Sequence, residues 1–171
     1  MKVLSFGLQP SVINENGIDL SRLNSRVSHR FTGIFALTDN LIISTHLYDK
    51  LRKLTPADMG PVPFTDSFCQ FTIRDGGYAI ADSNVDDRLN GNANKGVVVA
   101  YHGVPVMLDR EQLFGTLCHF DYVPHNLTGE EFSILSQCAA EVGAYLRNRG
   151  SLPGGVPIRD VYRGFAPGRE G

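Results

Sequence analysis

YHGVPVMLDREQLFGTLCHFD, residues 101–121, is the stretch on which the fold turns. Two apolar runs with β-branched and aromatic residues flank Asp109 and Arg110, which predicts two antiparallel strands joined by a tight turn. In an extended strand, successive side chains point to opposite faces. Over residues 115–121, Thr116, Cys118 and Phe120 therefore share one face, while Leu117, His119 and Asp121 share the other. Cys118 and His119 are adjacent in sequence, yet a regular strand cannot bring both to one metal ion. The Cys-His-Phe-Asp run is thus part of a sheet before it is a site.

Upstream, RFTGIFALTDNLIISTHLYDK (30–50) repeats the pattern, with Thr38-Asp39-Asn40 as the turn, and predicts strands over 30–48. The segment 51–66 carries three prolines and a glycine; each proline fixes φ and removes a donor, so the segment reads as a loop. SFCQFTIR (67–74) predicts a short helix and GGYAIADS (76–83) a strand. Before the first hairpin, DLSRLNSRVSHR (19–30) spaces Leu20, Leu23 and Val27 as an amphipathic helix. After the last, Thr128-Gly129-Glu130-Glu131 has the form of a capping box. Apolar residues from Phe132 to Leu146 then recur at three- and four-residue steps, and Gly150 is placed to end that helix.

The 171 residues, 42% of them hydrophobic, suffice for one domain with its own core. The 16 basic and 18 acidic residues are scattered, which favours neither a nucleic acid nor an anionic membrane as partner. No apolar run has the length of a membrane span or of a signal-peptide core, so a cytoplasmic location is expected. Cys69, Cys118 and Cys138 are widely spaced and form no CxxC, which points to reduced thiols rather than a disulfide framework or zinc site.

The order of elements is α+β with an antiparallel sheet. PFTDSFCQF, YAIADSNVDDR and the opening stretch, followed by the capped helix, resemble the GAF domain of bacterial signalling proteins over roughly residues 18–148. The resemblance implies a central antiparallel sheet of about five to six strands, terminal helices on one face and a ligand pocket on the other. Residues 1–17 are then an N-terminal extension, 18–149 the domain, and 150–171 a flexible or strand-exchanging Gly/Pro-rich tail. It also implies a sensor of a small molecule, chromophore, haem or redox state, working as a homodimer with a separate output protein.

PFTDSFCQ further resembles the free methionine-R-sulfoxide reductase branch of that family, with Cys69 near that branch's cysteine after the Pro-Phe loop. The resemblance implies a pocket lined by Phe31, Phe35, Cys69, Tyr101, Cys118 and Phe120. NGNANKG (90–96) lacks the reactive cysteine that the reductases carry in this connection, so reductase activity is not expected. A non-catalytic sensor with an aromatic, thiol-bearing pocket is the leading expectation. Its rivals are a small redox enzyme, using Cys69 and Cys118 or a haem ligated by His46 or His119, and a structural dimerisation module without a ligand. Asp82 and Arg88 have two readings: capping of local backbone, or binding the polar ends of a ligand in the pocket.

Overall fold

The computed structural model describes residues 11–149 and 156–161. In chain order the elements are β1 (Ile13–Asn14), β2 (Gly17–Ile18), α1 (Ser21–Asn24), β3 (Phe31–Thr38), β4 (Leu41–Asp49), β5 (Val62–Pro63), α2 (Cys69–Asp75), β6 (Tyr78–Ile80), β7 (Ala100–Met107), β8 (Gln112–Asp121), α3 (Gly129–Arg149), β9 (Val156–Pro157) and α4 (Ile158–Val161). The main sheet runs β5-β4-β3-β8-β7-β6, and β9 adds to β8. Every pairing in it is antiparallel.

Both hairpins form as the sequence predicts. Asp39 takes a positive φ of 54° in the first turn, and the Asp109 carboxylate accepts the Glu111 and Gln112 amides in the second. The β3–β8 register pairs Phe31 with Phe120 and Ala36 with Gly115. Beyond that point β9 takes over, pairing with Gln112 and Leu113.

The helix-facing side of the sheet is covered by α3, whose buried stripe includes Leu135, Cys138, Val142 and Leu146. Its sheet partners are Ile34, Ala36, Val104, Val106 and Leu117. Each fully buried Leu or Val in this layer contributes about 1.5–3 kcal/mol. Gly143 lets α3 approach β7 closely: a Cβ there would collide with the Met107 carbonyl. The Thr128 hydroxyl accepts the Glu131 amide at 3.2 Å, as in a capping box, and the Glu131 carboxylate takes a bidentate bond from Arg26. The apolar stripe of α3 is therefore buried against the chain's own sheet.

The predicted N-terminal helix is a single turn. Leu20 and Leu23 are buried as expected, but Asn24 turns inward, where its Nδ2 donates to Thr32 Oγ1 at 2.8 Å and to the His29 carbonyl at 3.1 Å. The Ser25 hydroxyl donates to the Arg22 carbonyl. These side-chain bonds compete with helix continuation and stop it after Asn24. Terminal helices on one face are thus one long helix and one turn. Within the stretch read as an extension, Val12 is buried and its amide, with the Ser11 hydroxyl, donates to Glu141 on α3. In the tail, residues 156–161 dock on β8 and bury Val161. Residues 1–10, 150–155 and 162–171, to which the remaining tail and extension expectations apply, lie outside the described residues.

Candidate functional site

The face of the sheet away from α3 carries the aromatic and thiol side chains. One rung of it is Gly33–Cys118–Gly103, paired across β3, β8 and β7. With no side chain on either neighbour, rings from the adjoining rungs fold over the gaps. A Cβ at Gly103 would lie 2.5 Å from the Tyr101 hydroxyl oxygen, and one at Gly33 would lie 2.9 Å from the Phe35 ring. Tyr101 and Phe35 thereby converge on Cys118.

From the opposite side α2 supplies Cys69 and Thr72. The Tyr101 hydroxyl bonds Thr72 Oγ1 at 2.8 Å and donates to Cys69 Sγ at 3.6 Å, and Cys69 Sγ also meets Thr116 Oγ1 at 3.1 Å. Cys118 adjoins the same Tyr101 hydroxyl. Burial pushes both thiols up, Cys118 well above its ordinary value, and holds the Tyr101 phenol well above its own. All three groups are protonated at neutral pH, so neither sulfur is a ready nucleophile.

Between this hub and the loop 51–66 lies a cavity of about 100 Å³. Phe35, Cys69, Tyr101, Cys118 and Phe120 line it. Phe31 does not; it stacks behind Phe120, with ring centroids 4.8 Å apart. Ser67, Phe68, Asn94, Val98, Met59, Val62 and Ile42 complete the wall. The last three come from the proline-rich loop and the edge it covers, and Asn94 comes from the polar connection before β7. No charged side chain lines the cavity.

Asp82 and Arg88 are not part of it. They line a separate open groove with Ala79, Asp86 and His102. Arg88 is held by Asp86 and the Ala79 carbonyl and lies over the Tyr78 ring at 4.7 Å. Asp82 accepts the Asn84 amide. The local capping reading therefore holds for Asp82, and neither residue reaches a ligand in the cavity.

The two candidate haem ligands also lie on the wrong side. His46 pairs with Ile34 and His119 with Thr32 and Leu117's face, both toward the α3 layer. His46 Nδ1 bonds Thr45 Oγ1, and His119 Nδ1 bonds Thr32 Oγ1 at 2.7 Å. No haem in the cavity could take either as its axial ligand.

His119 instead belongs to a histidine cluster with no signature in sequence spacing. His29 Nε2 and His102 Nδ1 are 3.0 Å apart, and the His29 ring lies 5.6 Å from His119 and 4.8 Å from His125. His125 in turn bonds Asp121 at 2.7 Å. Burial, reinforced by the neighbouring imidazoles, depresses His29 and His119 to about 3 and His102 to about 4. His29 Nδ1 and His119 Nε2 are buried without a hydrogen-bond partner. Among the described residues, no three His, Cys, Asp or Glu side chains are arranged to hold a metal ion. No helix among them is long and apolar enough to cross a membrane.

No family model matches the sequence, and no curated protein matches it. Solved structures match its fold. The GAF domain of a phosphoenolpyruvate-protein phosphotransferase from Acinetobacter aligns with a TM-score of 0.63 at 14% identity, over 88% of this chain and 91% of that one. The blue-light absorbing form of the PixJ GAF domain from Thermosynechococcus elongatus aligns at 0.57 and 18% identity, over 75% and 80%. A type II free methionine-R-sulfoxide reductase from Thermoplasma acidophilum aligns at 0.58 and 12%, over 75% and 86%. At such identities the likeness is one of fold.

Proposed function

We propose that this chain, whose fold is that of the GAF domains, is a sensory or regulatory module that binds a small molecule in the Tyr101–Cys118 cavity without transforming it. The observation that carries the reading is the cavity itself, walled by Phe35, Phe120, Tyr101 and the two thiols and bordered by Met59 and Val62 of the loop 51–66. With both thiols and the phenol protonated by burial, the wall offers recognition surface rather than a nucleophile or general base. At about 100 Å³ the cavity is below the roughly 300–1,000 Å³ that encloses a drug-sized ligand, which favours a small guest over haem or another tetrapyrrole. A second copy and a separate output protein complete the reading as partners.

Native mass spectrometry of the purified protein tests it, because bound molecule and oligomeric state are read together. Co-purification of a molecule lost in a cavity-filling Val98→Trp variant supports the reading. An empty protein that also gains no thermal stability from any member of a small-molecule library would sink it.

One observation favours a second reading, a thiol couple: Cys69 and Cys118 both adjoin the Tyr101 hydroxyl. Oxidation by a peroxide would join the two sulfurs, release two water molecules and lower the chain mass by two hydrogens. Serine at either position would abolish that mass change; no change in the wild type would exclude the couple.

A further inference from the structure

Resting on the binding reading above, we propose that the cavity selects an uncharged single-ring molecule carrying one hydrogen-bond donor, of the chemical class of phenol. Three observations converge on this class. The wall holds no charged side chain, and a carboxylate, phosphate or ammonium enclosed there would lose its hydration with no counter-ion in return. The volume, about 100 Å³, is of the order of the engineered apolar cavity of about 150 Å³ that accepts benzene. One ring is the upper limit. The rings of Phe35, Phe120 and Tyr101 supply faces and edges against which an aromatic guest packs.

The donor follows from a count of hydrogen bonds along the wall. The Tyr101 hydroxyl is committed to Thr72 and Cys69, and the Ser67 hydroxyl donates to the Phe64 carbonyl. Asn94 Nδ2 donates to the Asp66 carbonyl at 2.6 Å, and the Asn94 backbone N–H donates to Asn92 Oδ1. Because only the amide nitrogen can face the Asp66 carbonyl, the orientation of the Asn94 side chain is set. Asn94 is half-buried and lines the cavity, and its Oδ1 accepts no hydrogen bond from the described residues, so it is free to accept one from a guest. A guest that places its ring among the phenylalanines and its hydroxyl or N–H against Asn94 satisfies that atom. Toluene would leave it to water, and benzoate would set a negative charge beside it.

The test is a titration of the full chain with phenol, toluene and benzoate, followed through the methyl resonances of Val62, Val98 and Met59. Phenol is expected to bind about tenfold tighter than toluene, the weight of one net hydrogen bond. Benzoate should bind at least a hundredfold more weakly than phenol. Asn94→Leu should bring phenol and toluene to nearly equal affinity; Asn94→Ala, which also lacks the acceptor, carries the same expectation if leucine disturbs the connection. Benzoate binding as tightly as phenol, or a phenol preference that survives in both Asn94 variants, overturns the ligand class. If none of the three binds while a charged or larger molecule co-purifies in the cavity, the class is wrong and the sensory reading stands. If nothing binds or co-purifies, both fail.

Discussion

The two faces of β8 bury polar groups in opposite ways. On one face Cys118 joins Cys69, Thr72, Thr116 and Tyr101 in a connected set grouped around one hydroxyl, next to a cavity. On the other, one residue along, His119 lies among His29, His102 and His125, where two ring nitrogens have no partner. Burial drives the thiols and phenol of the first set, and His29, His102 and His119 of the second, to their neutral forms, but the direction differs with the chemistry. A thiol or phenol is neutral when protonated, so burial raises it and leaves it insensitive to acid. An imidazole is neutral when deprotonated, so burial lowers it and leaves a demand for protons that only the unfolded chain can meet. The cavity face should be indifferent to pH across the physiological range, and the histidine face should not.

The largest test of that contrast is acid unfolding. His29 and His119 near 3 and His102 near 4 all lie below the unfolded value of about 6.5. The unfolded state therefore binds more protons below that pH, and stability falls as pH drops from about 6.5 toward 3. At pH 5 each imidazole accounts for about 2 kcal/mol of loss, and the three together for roughly 6, comparable to the whole stability of many domains. The urea midpoint should fall steeply between pH 7 and 5; a flat midpoint would break the comparison at its root.

The next effect lies on the cavity face. Gly103→Ala places a methyl where the Tyr101 ring lies and should cost about 1–3 kcal/mol, with no change in the pH profile. Thermal melts at pH 7 and 5.5 would show a uniform drop; a drop confined to acid would mean that the two faces are coupled. The smallest is Tyr101→Phe, which removes the hydroxyl from the Thr72 and Cys69 bonds and should cost about 1 kcal/mol. Cys69 and Cys118 should stay unreactive to iodoacetamide in this variant at neutral pH, since burial rather than the phenol keeps them protonated. Rapid alkylation would reverse that assignment of cause.

How much of this was legible beforehand differs between the faces as well. The period-2 alternation of 115–121 and the two turn clusters were enough for the sheet, because strand geometry is local and its period is rigid. The wall positions at Phe35, Cys69, Tyr101, Cys118 and Phe120 came from a family resemblance laid over that alternation. Asn94 carried no such signal, since its role depends on the Asp66 carbonyl, 28 positions away. The histidine cluster was illegible for the same reason: His29 and His102 are 73 positions apart and meet through the registers of β3 on β8 and of β8 on β7. The length of α1 was misread because Asn24 is polar on an otherwise helical pattern, and its tertiary bonds to Thr32 and His29 outweighed local propensity. Asp82 and Arg88 were ambiguous in sequence because a capping carboxylate and a ligand-binding one use the same residue types.

The glycine rung around Cys118 has a consequence for how such a cavity changes over time. The space over the two glycines is taken by the Tyr101 and Phe35 rings, so those rings and the small Cys118 between them set the wall. Single-methyl additions or deletions at position 118, and at the ring that overlies each glycine, would therefore resize the chamber in steps without rebuilding its frame. Substitutions along that single row would reshape the chamber, while the helix-covered face keeps its own separate core.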